Sequence, residues 1–395
     1  MPSRSDPDNW TIKIAHNMAH IDAAAWDACA NPTGAFDPFV GHAFLLALEE
    51  SKSATAQSGW APHHILIEDD KGVLLGCVPL YLKNNSQGEY VFDQGWADAY
   101  MRAGGKYYPK LQLSVPFTPA TGRRLLVRRG PDSELIKQNL IAALKKLTLE
   151  SKTSSLHVTF TTEEEWHEFG KHDFLLRTDK QFHWINRGYG SFKEFLDDLA
   201  SRKRKNLRKE RIAAVDAEIE IERITGDALT EHHWDAFYTF YMDTSMRKWG
   251  QPYLTREFFS MVNESLADQT LLIMCKREGR YIAGALNFIG GDTLYGRNWG
   301  CLEDHPYLHF EACYYQAIEF AIEKGLSKVE AGAQGAHKLA RGYTPTPTYS
   351  AHFIPDPNFR EAVRDYLQEE RRYIQSDIEV LSTHTPFKHP SDERD

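Results

Sequence analysis

Two stretches near the end of the chain bring cations, carboxylates and small residues close enough to act on one reacting centre. In Glu330-Ala-Gly-Ala-Gln-Gly-Ala-His-Lys338-Leu-Ala-Arg-Gly-Tyr343, Lys338 and Arg341 fall within one helical turn. The small residues around them let the backbone run close to a ligand. A fixed cation here would meet the negative charge that builds on a carbonyl oxygen under amine attack. Glu330, at the end of an expected strand, would accept the amine's proton; the competing reading is a Gly-rich surface loop with a Glu–Lys or Glu–Arg ion pair. Upstream, Arg297-Asn-Trp-Gly-Cys-Leu-Glu-Asp-His-Pro-Tyr-Leu-His-Phe-Glu311 gathers Glu303, His305, His309 and Glu311 between a strand and a helix. His309 and Glu311 are candidate acid–base groups; the competing reading is a helix cap and carboxylates serving the helix dipole. Trp299 and Tyr343, in the same stretches, are candidate substrate contacts.

Two further segments stand out. Ser201-Arg-Lys-Arg-Lys-Asn-Leu-Arg-Lys-Glu-Arg211 sets seven basic residues against one acidic in eleven positions, in a chain of net charge −9. At about 100° per residue, Arg202, Lys205 and Lys209 share one helical stripe, with Asn206 beside it. Such a stripe would hold phosphates of a nucleotide, a lipid-linked sugar or an RNA; a solvated helix face is the alternative. Asp93-Gln-Gly-Trp-Ala-Asp98, with Tyr107-Tyr-Pro-Lys110 and Pro116-Phe-Thr-Pro119, is aromatic and punctuated by Gly and Pro. Asp93 and Trp96 are its candidate substrate contacts, against a packing surface between domains.

Other chemistry lacks its signature. The sequence holds no Gly-x-Ser-x-Gly elbow, no phosphate-binding Gly-x-x-x-x-Gly-Lys-Ser/Thr loop and no Gly-x-Gly-x-x-Gly. His167 and His172 are one residue too far apart for a zinc helix motif, which puts their imidazoles about 140° apart, so no metal site is expected. The overall acidity argues against DNA as a partner. No apolar run is long enough to span a bilayer, and the N-terminal residues show no secretory pattern. Five scattered cysteines, an odd number, suit a reducing compartment. A cytoplasmic location is the expectation, and the Asn-x-Ser/Thr triplets at Asn9, Asn84 and Asn263 carry no weight there.

The elements that must position these residues come in two similar sets. The first half shows a helix at His42–Ser51, then strands at His64–Glu68, Val73–Leu82 and Tyr90–Phe92 as an antiparallel meander. A helix at Ser133–Glu150, a strand at Leu156–Phe160, a capped helix after Thr162 and strands at Phe174–Arg177 and Phe182–Asn186 complete it. Arg187-Gly188-Tyr189-Gly190 marks the boundary, giving domains 1–188 and 189–395. In the second half, a capping-box pair, Ser191 and Glu194, opens a helix, followed by the basic helix, a strand at Glu218–Ile224 and helices at Glu231–Met246 and Thr255–Ala267. The meander recurs at Leu271–Cys275, Tyr281–Ile289 and Thr293–Trp299. A helix at Phe310–Lys324 stops at Gly325, and a strand at Ser327–Glu330, another near Thr348–Phe353 and a long closing helix from Pro357 follow. Lys71-Gly72, Gly76 and Tyr90 find counterparts in Glu278-Gly279, Gly284 and Tyr295, so the fold class is α/β (α+β), with tandem copies of one unit.

Several stretches, "GEYVFDQGWADAY", "SRKRKNLRKER", "MRKWGQPYLT", "IAGALNFIGGDTLYGRNWG", "HFEACYYQAIEFAIEKGL" and "VEAGAQGAHKLARGY", resemble the FemAB-like branch of the GNAT-fold N-acyltransferases, related to the peptidoglycan aminoacyltransferases. The resemblance runs from about His42 to the closing helix. It implies tandem GNAT-like domains, each a mixed, mostly antiparallel sheet flanked by helices. It also implies an acyl group, activated as acyl-CoA or aminoacyl-tRNA, transferred as co-substrate to an amine acceptor such as a cell-wall precursor, with no bound cofactor and with tRNA among the partners. Relatives use a lysine after the last central strand, matched here by Lys338, and a basic helix, matched by Arg202–Lys209. The chain departs from the pattern in two respects: its loop Cys301–His309 has no glycine to cradle a pyrophosphate, which argues against acetyl-CoA, and the inserted coiled-coil arm of some Fem enzymes is not evident, which argues against tRNA. A non-catalytic protein that binds a phosphorylated cell-wall precursor or RNA is the alternative function.

Overall fold

Period-two apolar patterning, with Gly-centred turns between runs, builds each half from antiparallel strands whose apolar faces are covered by helices. The structure, a computed structural model, describes residues 10–32, 34, 36–248, 251–332 and 335–388. Asn9, Trp249-Gly250 and Ala333-Gln334, which belong to motifs named above, lie outside the described residues. The chain divides into two compact units, one running through Asp179 and including Pro347–Gln375, the other made of Lys180–Thr346 and the chain from Ser376. The sequence places a single boundary after residue 188. In the structure the first crossing falls inside a continuous strand, and Pro347–Gln375 returns to the first unit. Strand pairing explains the return, since Tyr349–Phe353 pair with Thr161–Leu156.

In the first unit, β1 (Thr11–Ala15), α1 (Ala23–Ala30), α2 (His42–Glu50), β2 (Trp60–Pro62), β3 (His64–Glu68), β4 (Leu74–Val78), β5 (Leu80–Lys83), α3 (Gln94–Arg102), β6 (Lys110–Leu113), β7 (Leu126–Val127), α4 (Ser133–Glu150), β8 (Leu156–Thr161), α5 (Glu163–Lys171) and the start of β9 (Leu175–Ile185) follow in order. One sheet has the order β1-β3-β4-β7; in a second, β8, β6, β5 and β2 are neighbours, with β6 and β8 parallel. Three expectations change here. Val73–Leu82 is two strands in different sheets, because Pro79 between them has no N–H to give a ladder. Tyr90–Phe92 is no strand: Tyr90 sits at φ 58° and the chain turns into α3, which holds Trp96. Phe174–Arg177 and Phe182–Asn186 are stretches of one long strand, β9.

The second unit follows the sequence closely. After α6 (Phe192–Asp198) and α7 (Ser201–Ala214) come β10 (Ile219–Thr225), α8 (Glu231–Lys248), α9 (Arg256–Leu266), β11 (Thr270–Arg277), β12 (Arg280–Ile289) and β13 (Thr293–Cys301). Next are α10 (Leu308–Phe310), a π turn at Glu311–Tyr315, α11 (Gln316–Glu323), β14 (Lys328–Glu330), a 3₁₀ turn at Ala336–Arg341, β15 (Thr344–Phe353) and α12 (Pro357–Ser382). The expected cap is present, with the Ser191 side chain accepting from Glu194 N and Glu194 Oε2 accepting from Gly190 N at 2.9 Å. The sheet order is β10-β11-β12-β13-β14-β9, antiparallel except between β13 and β14. One face buries Leu271, Ile273, Ala285, Leu294 and Val329 against Tyr315, Ile318 and Phe195. On α8, close approach is paid for with a glycine: a Cβ at Gly300 would lie 2.3 Å from Phe240 O.

Candidate functional site

The site follows from where two parallel strands part. β13 and β14 pair at only three positions, Thr293↔Lys328, Leu294↔Val329 and Tyr295↔Glu330. Beyond these β14 ends, while β13 runs on beside β12 with a bulge between Leu286 and Asn287. A cavity of about 90 Å³ opens in the gap, lined by Asn287, Arg297, Trp299, His309, Cys313 and Tyr314 among others. The helix beneath it is not regular. Its π turn inserts a residue into the hydrogen-bond ladder, a feature frequent at functional sites, and Cys313 and Tyr314, both within that turn, reach the cavity wall.

Lys338 stands behind this wall. Its side chain is 2% exposed, and Nζ donates to Gly332 O at 2.8 Å. Burial pushes its ammonium down from 10.5 to about 8, partly opposed by the neighbouring Cys313. Cys313 and Ala331, the residue before Gly332, line the cavity, so a positive charge is held one residue's thickness from it. Alongside, Tyr314 Oη and His337 Nε2 are 2.9 Å apart. Burial raises the Tyr314 phenol, which therefore stays protonated, whereas burial and the cations Arg341 and Lys338 lower His337, which stays neutral. The Tyr343 hydroxyl is fully buried without a hydrogen-bond partner among the described residues, its ring 5.4 Å from that of Tyr314.

The carboxylate candidates are engaged elsewhere. Arg211 grips Glu311 with Nε and Nη2 at 2.8–3.1 Å, and Gln316 adds a third bond at 2.8 Å. Glu330 Oε1 accepts from Lys328 at 3.0 Å, and Oε2 lies 4.0 Å from His183 Nε2. Neither carboxylate lines the cavity. Arg341 is likewise committed, bonded twice to Glu210 at 2.9–3.0 Å and lying 3.4 Å over the Phe310 ring. Of the four catalytic candidates, His309 lines the cavity and Lys338 backs it. Trp299 joins them, its ring 5.3 Å from that of His309.

A family model described as FemAB-like, peptidoglycan biosynthesis/recognition, matches residues 17–389. The chain belongs to the FemAB-like family. Its fold is similar to that of FemX (12% identity, 87% of this chain and 99% of that one, TM-score 0.56). It is similar also to L-PGS from Bacillus licheniformis (9% identity, 85% and 99%, TM-score 0.50). A tandem GNAT protein from the clavulanic acid pathway matches at 13% identity over 88% of this chain and 99% of that one, with a TM-score of 0.45. A comparison with curated proteins finds no match. The fold the resemblance implies, mixed and mostly antiparallel sheets flanked by helices, is the fold found.

None of the remaining candidates of this FemAB-like chain is among the residues that line the cavity. Arg202, Lys205, Asn206 and Lys209 are exposed on α7 and none lines it. Asp93 and Trp96 belong to the first unit. Asp93 is 1% exposed; Tyr107 Oη donates to it at 2.5 Å, and Lys110 bridges it to Glu89. Burial pushes the Asp93 carboxyl up, but Lys110 and then His157 outweigh it and hold it below the usual range. Burial takes Glu89 up to about 7. Asp93 is thus part of a buried ionic network rather than a surface contact. Trp96 forms the inner wall of a groove of about 660 Å³, together with Phe92, Tyr100, Asp356, Phe359 and Tyr366.

Sequence reasoning missed Cys313, Tyr314, His337 and Asn287. His337, next to Lys338, was open to notice. Cys313 and Tyr314 fall in an apolar helical pattern that reads as core, and only the π turn brings them to the cavity.

Proposed function

We propose that this protein is an N-acyltransferase that moves an activated acyl or aminoacyl group onto an amine, with a cell-wall precursor as the acceptor class. The observation that carries the reading is the buried Lys338 ammonium at the point where β13 and β14 part. Held in low dielectric by its bond to Gly332 O, a cation acts on developing negative charge far more strongly than in water.

The acceptor nitrogen bonds to the acyl carbon, and the carbonyl electron pair moves to oxygen, where Lys338 stabilises it. His309 takes the proton from the amine and passes it to the departing oxygen or sulfur as the tetrahedral species collapses. Trp299 and Tyr314 confine the acyl group, and the Tyr314–His337 pair fixes that wall. For the donor, an aminoacyl-tRNA ester is favoured over acyl-CoA. The helix start a pyrophosphate would need is preceded by a glycine-free loop carrying Glu303, paired to Arg277 at 3.0 Å and His305 at 2.8 Å. Without a glycine the loop is poorly suited to bring successive backbone N–H groups onto a diphosphate.

The test is transfer by the purified full chain, with charged tRNAs and acyl-CoAs as donors and a UDP-linked muropeptide as acceptor, read by mass. A product with a tRNA donor, lost on Lys338→Met, is expected. Equal product formation by the variant would dismiss the lysine's role, and no product with any donor would favour a binding protein.

A further inference from the structure

Helix α7 has a sharply divided surface. Leu207 and Ala214 are buried at 2% and 1%. Glu210 accepts from Arg341 and Tyr315, and Arg211 binds Glu311 and Glu319. At about 100° per residue, Arg202, Lys205, Lys209 and Ile212 project on the opposite side. All four are exposed, Ile212 by 69%. Arg204 and Arg208 lie 3.5 and 3.9 Å from Asp197. Arg202, Lys203, Lys205 and Lys209 have no side-chain partner among the described residues, and Val215, one turn beyond Ile212, is 38% exposed. Among the described residues no helix is long and apolar enough to cross a membrane.

We propose that this face of α7 docks the protein reversibly on an anionic membrane surface. The cations pair with lipid phosphates while Ile212 and Val215 enter the boundary between headgroups and acyl chains. The isoleucine decides the choice of partner. An RNA would meet the same three cations, but it gains nothing from an exposed aliphatic side chain, and the stripe offers no aromatic ring for a base to stack on. Asp216 and Glu218, exposed just past Val215, end the contact there. Because the whole chain carries −9, the protein as a whole is repelled by an anionic bilayer and the attraction is local to this face. Docking is therefore orienting, weak and sensitive to salt. The surface is independent of the transfer reaction, since it exists whether or not the cavity performs chemistry.

Co-sedimentation of the full-length protein with phosphatidylcholine vesicles, with and without phosphatidylglycerol, tests it over a range of salt. Binding is expected only with phosphatidylglycerol and is expected to fade as salt rises. Each basic residue contributes about fivefold, so Arg202→Ala/Lys205→Ala/Lys209→Ala lowers the apparent affinity by roughly 100-fold. Ile212→Ser lowers it about fivefold with the salt dependence unchanged. All these side chains are solvent-exposed, and an unchanged melting temperature confirms that each variant is folded. Absence of binding at low salt, or equal binding to neutral vesicles, overturns the proposal. A triple variant that binds like the parent also overturns it. Tight binding of a tRNA or a single-stranded RNA that needs the cations but ignores Ile212→Ser, with no vesicle binding, would reassign the face to nucleic acid.

Discussion

Replacing Lys338 by methionine separates stability from function. Lowering the ammonium from 10.5 to about 8 by burial corresponds to about 3 kcal/mol borne by the folded state to keep this charge at neutral pH. Methionine removes the charge and keeps most of the stem's volume. It forfeits the 2.8 Å bond to Gly332 O, worth about 1 kcal/mol. The net expectation is a variant more stable by roughly 2 kcal/mol, or about 5 °C in melting temperature for a unit of this size. Transfer turnover falls by about 10-fold or more, short of the roughly 100- to 1,000-fold cost of losing a donor in direct contact with the oxyanion, because Lys338 acts through the cavity wall. The pH dependence has a definite sign. The folded-state pKa lies below the unfolded one, so between about 8 and 10.5 the unfolded chain binds more protons. Wild-type stability therefore rises with pH across that window, and the variant lacks the rise. Calorimetry at several pH values with a transfer assay reads both. A methionine variant that is less stable than wild type and still turns over would refute the reasoning, because the lysine would then be a structural donor.

Other outcomes follow from the same contacts. Arg211→Met strands the buried Glu311 carboxylate and costs about 3 kcal/mol by denaturant unfolding, most of it recovered in Arg211→Met/Glu311→Leu; no loss in the single variant would contradict a structural ion pair. Gly300→Ala drives a Cβ to 2.3 Å from Phe240 O and lowers stability by about 2 kcal/mol or more in the same measurement; a neutral effect would mean α8 yields easily. Cys313 holds the Lys338 pKa up, so Cys313→Ala moves the alkaline fall in turnover to lower pH, whereas a fall at the same or higher pH would show the two groups are not coupled. In the first unit, Lys110→Met leaves Asp93 and Glu89 buried without their shared cation and costs several kcal/mol, read by thermal unfolding; retention of stability would show that Lys83 suffices.

Much of the second unit was legible because its signals are local. Gly279 closes the first turn of the meander, Ser191 and Glu194 cap a helix, and Gly325 stops one, each through its own backbone chemistry. The first unit was read less well because Pro79 divides an apolar run between two sheets, and because the Gly in Asp93-Gln-Gly-Trp reads as a turn where tertiary packing makes a helix. At the site, the position of Lys338 after a central strand was readable. The commitments of Glu311 to Arg211 and of Arg341 to Glu210 were not, since each joins residues about a hundred positions or more apart. Nor does any local pattern announce a π turn, which is what brings Cys313 and Tyr314 to the wall.

The most direct measurement is the single-turnover rate of acyl transfer from a charged tRNA to a muropeptide amine, followed from pH 6 to pH 10. A rate that declines as pH passes about 8, tracking loss of the Lys338 proton, is the predicted result. A rate that climbs steadily through that region, as free amine accumulates and nothing else titrates, would contradict it.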